Sequence, residues 1–297
     1  MGATRKALMR LAALGAAVAL LAAAACGEPF PPETLVERLR ILGVRAEPPA
    51  LGPADTAALD ALVVDPEGAG RTLRYTWAVC LVEIEDTASD IPCPGPDAYA
   101  LPAGPQSELR MPELLAWLAE QDLPFDPEQW QELSPEQLED IPLLVGLRID
   151  AGAESVRALK RIHLRFDEDM PQHSNPRLTG LLRDGQPLAE PPRPLQLGDK
   201  VELRPLIDPD SLDTVPATED EPAHPEDALF SWFSSSGEFD DQRTIWDESQ
   251  SGSRLETNRW KLPEEAAELG PQQLWLVVRD GRYGIDWAEY HFELTAP

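Results

Sequence analysis

Residues 157–166, RALKRIHLRF, carry the cleanest alternation in the chain: Ile162, Leu164 and Phe166 fall on one side and Arg161, His163 and Arg165 on the other. A period of two over that length is the mark of a strand with one buried and one wet face. The pattern recurs along the chain. LRILGVRAEPP (39–49) sets Leu42, Val44 and Ala46 on one face, and TAALDALVVDP follows at 56–66. RTLRYTWAVCLVEI (71–84) places Tyr75 and Trp77 together with Cys80 opposite, and PLLVGLRID occupies 142–150. Asp65-Pro66-Glu67-Gly68 and Gly52-Pro53 punctuate the runs as turns. Short strands separated by turn residues predict an antiparallel sandwich. The fold class expected is mainly β.

One stretch breaks the rhythm. Leu114, Leu115, Trp117 and Leu118 cover one helical arc. Asp126-Pro127-Glu128-Gln129 and Ser134-Pro135-Glu136-Gln137 each offer a capping side chain, proline at the first helical position and glutamine at the third. Residues 111–140 are therefore expected to be a short α-helical insert in a β domain.

After DEDMPQHSNP (167–176), which reads as a linker, the strand pattern resumes. The two halves can be superposed as sequences. TAALDALVVDP faces KVELRPLIDPD, and LRYTWAV faces ALFSWFS, with the acidic, proline-rich 211–227 absorbing the difference in spacing. This reads as an internal repeat. QLWLVVRD and IDWAEYHFEL then form a hairpin through Asp280-Gly281-Arg282-Tyr283-Gly284, with positive φ expected at the glycines. Ala288, Tyr290, Phe292 and Leu294 point one way; Trp287, Glu289 and His291 point the other.

The aromatic-x-Trp strand after an Asp-Pro turn resembles the third strand of immunoglobulin-like and PKD-like domains, where the tryptophan is a core residue. The Gly-Asp-Gly continuation of PKD domains is missing after Trp77 and Trp232, which leaves the immunoglobulin-like label. The resemblance implies two immunoglobulin-like antiparallel β-sandwiches, residues 38–167 with the helical insert and residues 177–297, joined by a linker at 168–176.

The amino terminus carries a different signal. Arg5, Lys6 and Arg10 precede the unbroken apolar run Leu11–Ala25, and Ala-Ala-Ala-Cys-Gly follows. Fifteen apolar residues fall short of the roughly twenty that span a bilayer, and the layout is that of a secretory signal peptide over 1–25. The segment resembles the lipobox of bacterial lipoproteins, with Ala23 where leucine is commoner. The resemblance implies acylation of Cys26 and anchoring to the membrane through that lipid. Gly27, in place of the aspartate that marks inner-membrane retention in the enterobacterial family, favours the outer membrane. Residues 26–37 then read as lipidated cysteine and proline-rich tether. In architecture and composition the chain also resembles tethered lipoproteins common in myxobacteria.

The chain has 25 Lys+Arg against 53 Asp+Glu, a net charge of −28. Loss of the leader, with three positive charges and no acid, makes it −31, which repels nucleic acid and excludes it as a partner. With Cys26 acylated, Cys80 and Cys93 remain, an even pair read as a disulfide. A metal pair is the rival reading, but no further Cys or nearby His completes a site. His163, His173, His224 and His291 are scattered, and no nucleophile elbow or phosphate-binding glycine loop is present. Asp208, Asp210 and Asp213 approach a calcium loop, but Leu212 takes a ligand position and no glycine follows. The chain is read as not an enzyme, with no cofactor and no metal.

Tryptophan is the remaining signal. Trp246 and Trp260 lie in the polar stretch 240–263, and Trp287 lies on the outer face of its strand. Exposed aromatics rimmed by polar groups bind sugar faces or protein partners, so these three are candidate ligand-binding residues. The function expected is that of an envelope lipoprotein serving as a non-catalytic interaction or structural module, with an envelope protein or polysaccharide as partner. The alternative is a glycan-binding or adhesive surface protein using the tryptophans of the second domain.

Overall fold

The computed structural model describes residues 32–66, 68, 70–80, 93, 98–121, 142–165, 172–189, 192–215, 217, 222–247, 256–265 and 269–297. Glu33–Pro297 form one compact unit. The expected signal peptide, Cys26 and the two capped segments at 126–137 lie outside the described residues.

The first half contains β1 (Arg40–Glu47), β2 (Ala50–Leu51), β3 (Thr56–Val64), β4 (Arg74–Cys80), β5 (Tyr99–Ala100), β6 (Gln106–Arg110), α1 (Met111–Glu120), β7 (Leu143–Ala151) and β8 (Glu154–Leu164). One sheet runs β1-β3-β6 and the other β2-β8-β7-β4-β5. Every pairing is antiparallel except β2 with β8, which is parallel. The first strand thus serves one sheet, crosses at Pro48-Pro49, and adds to the last strand of the other. That is the immunoglobulin arrangement.

The second half contains β9 (Leu178–Arg183), β10 (Gln186–Pro187), β11 (Leu195–Gln196), β12 (Lys200–Ile207), the hairpin β13 (Thr214–Val215) and β14 (His224–Pro225), β15 (Ala228–Ser234), β16 (Glu238–Phe239), β17 (Arg243–Trp246), β18 (Asn258–Lys261), β19 (Gly270–Arg279) and β20 (Ile285–Thr295). Its sheets run β10-β9-β12-β18-β16 and β11-β20-β19-β15-β17, with β11 parallel to β20. The order repeats that of the first half. β3 corresponds to β12 and β4 to β15, as the superposed sequences require.

Each sandwich is built on its repeated tryptophan. Trp77 is 1% exposed and donates Nε1–H to the Gly104 carbonyl at 2.9 Å. Trp232 is fully buried and donates to Thr244 Oγ1 at 2.9 Å. Around Trp77 pack Leu59, Val79, Leu109, Leu147 and Ile149; around Trp232 pack Phe230, Leu203, Trp260, Leu276 and Phe292. A buried indole with its N–H satisfied contributes large apolar area at no polar cost.

Several sequence expectations need correction. Helix α1 buries Met111 and Leu114 and rests Trp117 on Tyr99, ring centroids 5.3 Å apart, but Leu115 is 41% exposed. Its buried positions repeat every three residues, and Leu115 falls on the far flank. The register of β1 shifts between Ile41 and Gly43. That bulge separates Leu42 from Val44 and Ala46, which enter the first core without it. In the 280–284 turn the left-handed residue is Tyr283, at φ 69°, and neither glycine is. Gly284 is needed for another reason: a Cβ there would overlap the Asp280 carboxylate. Finally, Thr34–Val36, expected within the tether, lie along the second sandwich. Val36 N donates to Ser234 O and Ser234 N to Thr34 O, each at 2.9 Å.

Candidate functional site at the junction of the sandwiches

A third apolar cluster belongs to neither sandwich alone. Val36, Leu42, Leu62 and Val64 meet Trp275, Val277 and Ile285, with Phe233 and Trp287 against them. Apart from Val36, which precedes β1, and Phe233 on β15, these side chains stand on the outer faces of β1, β3, β19 and β20. β3 illustrates the cause. Ala57 and Leu59 face its own core, while Leu62 and Val64, of the opposite parity, face the second sandwich. On β19, Leu274, Leu276 and Val278 face inward, and Trp275 and Val277 outward. Strands buried on both faces lose their polar alternation, and at this junction Leu62-Val63-Val64 and Leu274–Val278 do so.

Close approach depends on Gly43. A Cβ there would stand 3.0 Å from Ile285 Cδ1 and 3.3 Å from the Trp287 ring. Polar groups ring the apolar patch. Arg45 Nη1 donates to Asp286 Oδ1 at 2.9 Å, its Nη2 reaches Asp60 at 3.3 Å, and its guanidinium carbon lies 4.5 Å from the Trp287 ring centroid. Arg279 donates to the Leu42 carbonyl at 2.8 Å and to Ser231 Oγ at 3.2 Å. Asn175 ties three segments: its amide nitrogen donates to Ala46 O at 2.8 Å and Glu47 Oε2 at 2.7 Å, and its oxygen accepts from Ile285 N at 2.9 Å.

The turn between β19 and β20 carries the charged end of the junction. Asp280 Oδ1 accepts from Arg282 N at 2.9 Å and Gly284 N at 2.6 Å, which closes the turn. The Tyr283 carbonyl accepts from Lys160 Nζ. Its ring stacks on His163 at 4.8 Å, and His163 meets His173 at 5.0 Å. His173 Nδ1 lies 2.7 Å from Asp213 Oδ2, and Asp213 N donates to Glu226 Oε1 at 3.2 Å.

Burial governs the electrostatics. It pushes the Lys160 ammonium down to about 8, against the pull of Asp280. It raises the Glu226 carboxyl to about 7, with Asp280 and Asp213 adding like-charge repulsion. Asp280 is also held above the ordinary carboxylate range by burial, and Arg279 is held below its own. The arrangement clamps the sandwiches through Lys160 and Arg279, and it buries the Glu226 carboxyl close to Asp280 and Asp213.

The structure brings together some expected residues and disperses others. Cys80 and Cys93 form a disulfide, Cα atoms 5.8 Å apart, on the outer face of the first sandwich. Trp246 and Trp260 do not line a surface; they are 6% and 0% exposed within the second core. Polar neighbours in sequence misled here because β17 and β18 point alternate residues inward. The Trp260 ring is stacked with Phe239 and its N–H reaches the Ser236 carbonyl at 3.0 Å. Trp287 does lie on the outer face of its strand, but that face meets the first sandwich. Asp208 and Asp213 of the acidic loop are held by Arg177 and His173. Lys160, Asn175, Glu226, Arg279 and Asp280 were not singled out by the sequence. The two-faced apolar strands were the available signal.

No protein-family model and no curated protein matches the chain. Solved structures to which the chain is similar include the adhesin InvE of Yersinia pseudotuberculosis, 11% identical with a TM-score of 0.23. The match covers 86% of this chain and 58% of the adhesin chain, so the chain spans less than two thirds of that protein. Three N-terminal domains of the outer capsid protein Hoc of bacteriophage RB49 match at 11% identity over 88% and 70%, TM-score 0.24. Tandem Ig repeats of Dlar match at 10% over 88% and 100%, TM-score 0.26. The immunoglobulin-like assignment of this chain rests on its strand order.

Proposed function

We propose that this chain is an exported lipoprotein, held at the outer membrane through acylated Cys26, that serves as a non-catalytic structural or interaction module of the envelope. One observation carries the non-catalytic reading. Of the perturbed groups at the junction, Lys160 and Arg279 each bond a backbone carbonyl of the other sandwich, while Glu226 and Asp280 brace the loop at 213 and the 280–284 turn of the second sandwich. Perturbed titration marks functional sites and structural networks alike, and the partners of Lys160 and Arg279 are backbone carbonyls across the boundary between the sandwiches. The result is one compact double sandwich, suited to presenting a surface. The run Leu11–Ala25 ending at Cys26 supports the anchor.

The test is intact mass and membrane fractionation of the wild type beside Cys26→Ser, in a bacterium with lipoprotein-processing enzymes. Acyl mass and outer-membrane partition in the wild type, both lost in the variant, are the expected result. Two soluble, unacylated proteins would overturn the anchor.

A further inference from the structure

Strand β8 is the longest open edge of the first sandwich among the described residues. Its inner neighbour β7 pairs with it from Leu143↔Ile162 to Ala151↔Glu154, whereas β2 covers its outer side only at His163 and Leu164. His163 N donates outward to the Pro49 carbonyl and Arg165 N to Leu51. By the two-residue period of a strand, the N–H and C=O of Ser155, Arg157, Leu159 and Arg161 face the same open side. No described strand pairs with them there.

The edge has two distinct flanks. Arg157, Leu159 and Arg161 project exposed on the outer face, Leu159 at 40%. Arg148 sits directly opposite Arg157, and exposed Arg74 lies on the same face. Arg148 is paired with Asp150 at 2.8 Å and Arg161 lies over the Tyr283 ring at 5.7 Å, so the face keeps a cationic excess in a chain with twice as many acids as bases. Beside the edge a cleft of about 400 Å³ opens where β1, β8 and the β19–β20 turn meet, with Ile41, Val44 and Ala158 on its apolar side and Lys160, Asp280 and Tyr283 at its charged end.

We propose that the β8 edge takes an added strand: an extended segment of a partner protein with acidic and apolar side chains at alternate positions. Its backbone would complete the ladder at Ser155–Arg161. Its carboxylates would lie beside Arg157 and Arg161, and its apolar side chains would enter the cleft. Main-chain bonds give such additions affinity, and the alternate side chains give selectivity.

The test uses the full chain in detergent with a blocked peptide of strictly alternating Val and Glu. A peptide of the same composition, with its Val and Glu in two separate runs, is the control. Hydrogen exchange by NMR is expected to show the amides of Ser155, Arg157, Leu159 and Arg161 slowed by the alternating peptide and not by the control. Arg157→Glu with Arg161→Glu should weaken binding by at least about tenfold, given roughly 1.4 kcal/mol for each tenfold step and two lost charge-assisted contacts. Leu159→Pro is a second variant. It deletes an edge-facing N–H without touching the β7 ladder, and it should abolish the protection while core amides stay protected. Equal binding of both peptides would reduce the site to nonspecific charge attraction and overturn the proposal. Binding of neither peptide would overturn it as well. Self-association by sedimentation, reversed by the Arg157/Arg161 variant and without peptide protection, would assign the edge to a second copy and also overturn it.

Discussion

Arg45 of the first sandwich lies over the ring of Trp287 of the second, 4.5 Å from its centroid, while its Nη1 bonds Asp286 at 2.9 Å. The guanidinium is thus shared between a π face and a carboxylate across the junction. Arg45→Met and Trp287→Leu, alone and combined, should show a coupling of about 0.5–2 kcal/mol in denaturant unfolding, the range for a partly desolvated cation–π pair. Additive effects would mean that the two residues act separately.

Gly43 permits that contact. Gly43→Val must displace Ile285 and Trp287, and overpacking of this kind costs about 1–3 kcal/mol. The junction is expected to yield first, because both cores are untouched. Small-angle scattering should show a larger radius of gyration with the far-ultraviolet spectrum unchanged.

Glu226 sets a pH dependence. Its folded-state value near 7 lies above the ordinary 4.5, so the folded state binds more protons in that window. Stability should therefore fall as pH rises from about 4.5 to about 7. The loss should be about 1–3 kcal/mol, because a tenfold difference in proton affinity between folded and unfolded chain is worth roughly 1.4 kcal/mol and solvent screening removes part of it. Asp280, raised by burial, adds to the same slope. Glu226→Gln, which keeps the acceptor for Asp213 N and removes the charge facing Asp280 and Asp213, should flatten the slope and raise the melting temperature at pH 7.5. Lys160 acts at the alkaline end. Its folded value near 8 lies below 10.5, so stability should rise with pH between those limits, and Lys160→Met should remove that rise.

Gly146 guards the disulfide. Any Cβ at this position would overlap Cys93 Sγ. Gly146→Ala should force Cys93 off β7 and leave free thiol countable by titration in denaturant. The loss of stability should approach that of Cys93→Ser, about 2–4 kcal/mol. Full oxidation with unchanged stability would show that the sheet absorbs the methyl group.

Asn175 joins β1, the linker and β20. Asn175→Ala strands Ile285 N and Ala46 O at a half-buried site, at a cost of about 1–3 kcal/mol. Exchange at Ile285 should rise more than exchange in either core.

Much of the architecture was legible in the residues themselves. The alternation of β8, the Asp-Pro turns and the repeated aromatic-x-Trp strands specified two sandwiches and the correspondence of β3 with β12 and β4 with β15. These are local signals, because a strand writes its period and its turns into consecutive residues. Cys80 and Cys93 were legible by count. Legibility failed where one strand met two environments. Trp246 and Trp260 have polar neighbours in sequence, yet strand parity turns them into the core. The β1 bulge moved Leu42 to the opposite face from Val44, a change of parity that composition does not encode.

The sequence by itself determined the fold class, the repeat, the cysteine pair and the buried tryptophan of each sandwich, since each depends on periodicity or spacing along the chain. Only the tertiary structure decided that the outer faces of β3 and β19 bury each other and that Trp287 packs its ring against Gly43 and Arg45. It also decided that Lys160, Glu226 and Asp280 converge on one turn. Contacts between residues more than a hundred positions apart, such as Arg45 with Asp286 or Lys160 with Tyr283, leave no local pattern. They arise when two finished surfaces meet, and the apolar area and charge on those surfaces then select the partner.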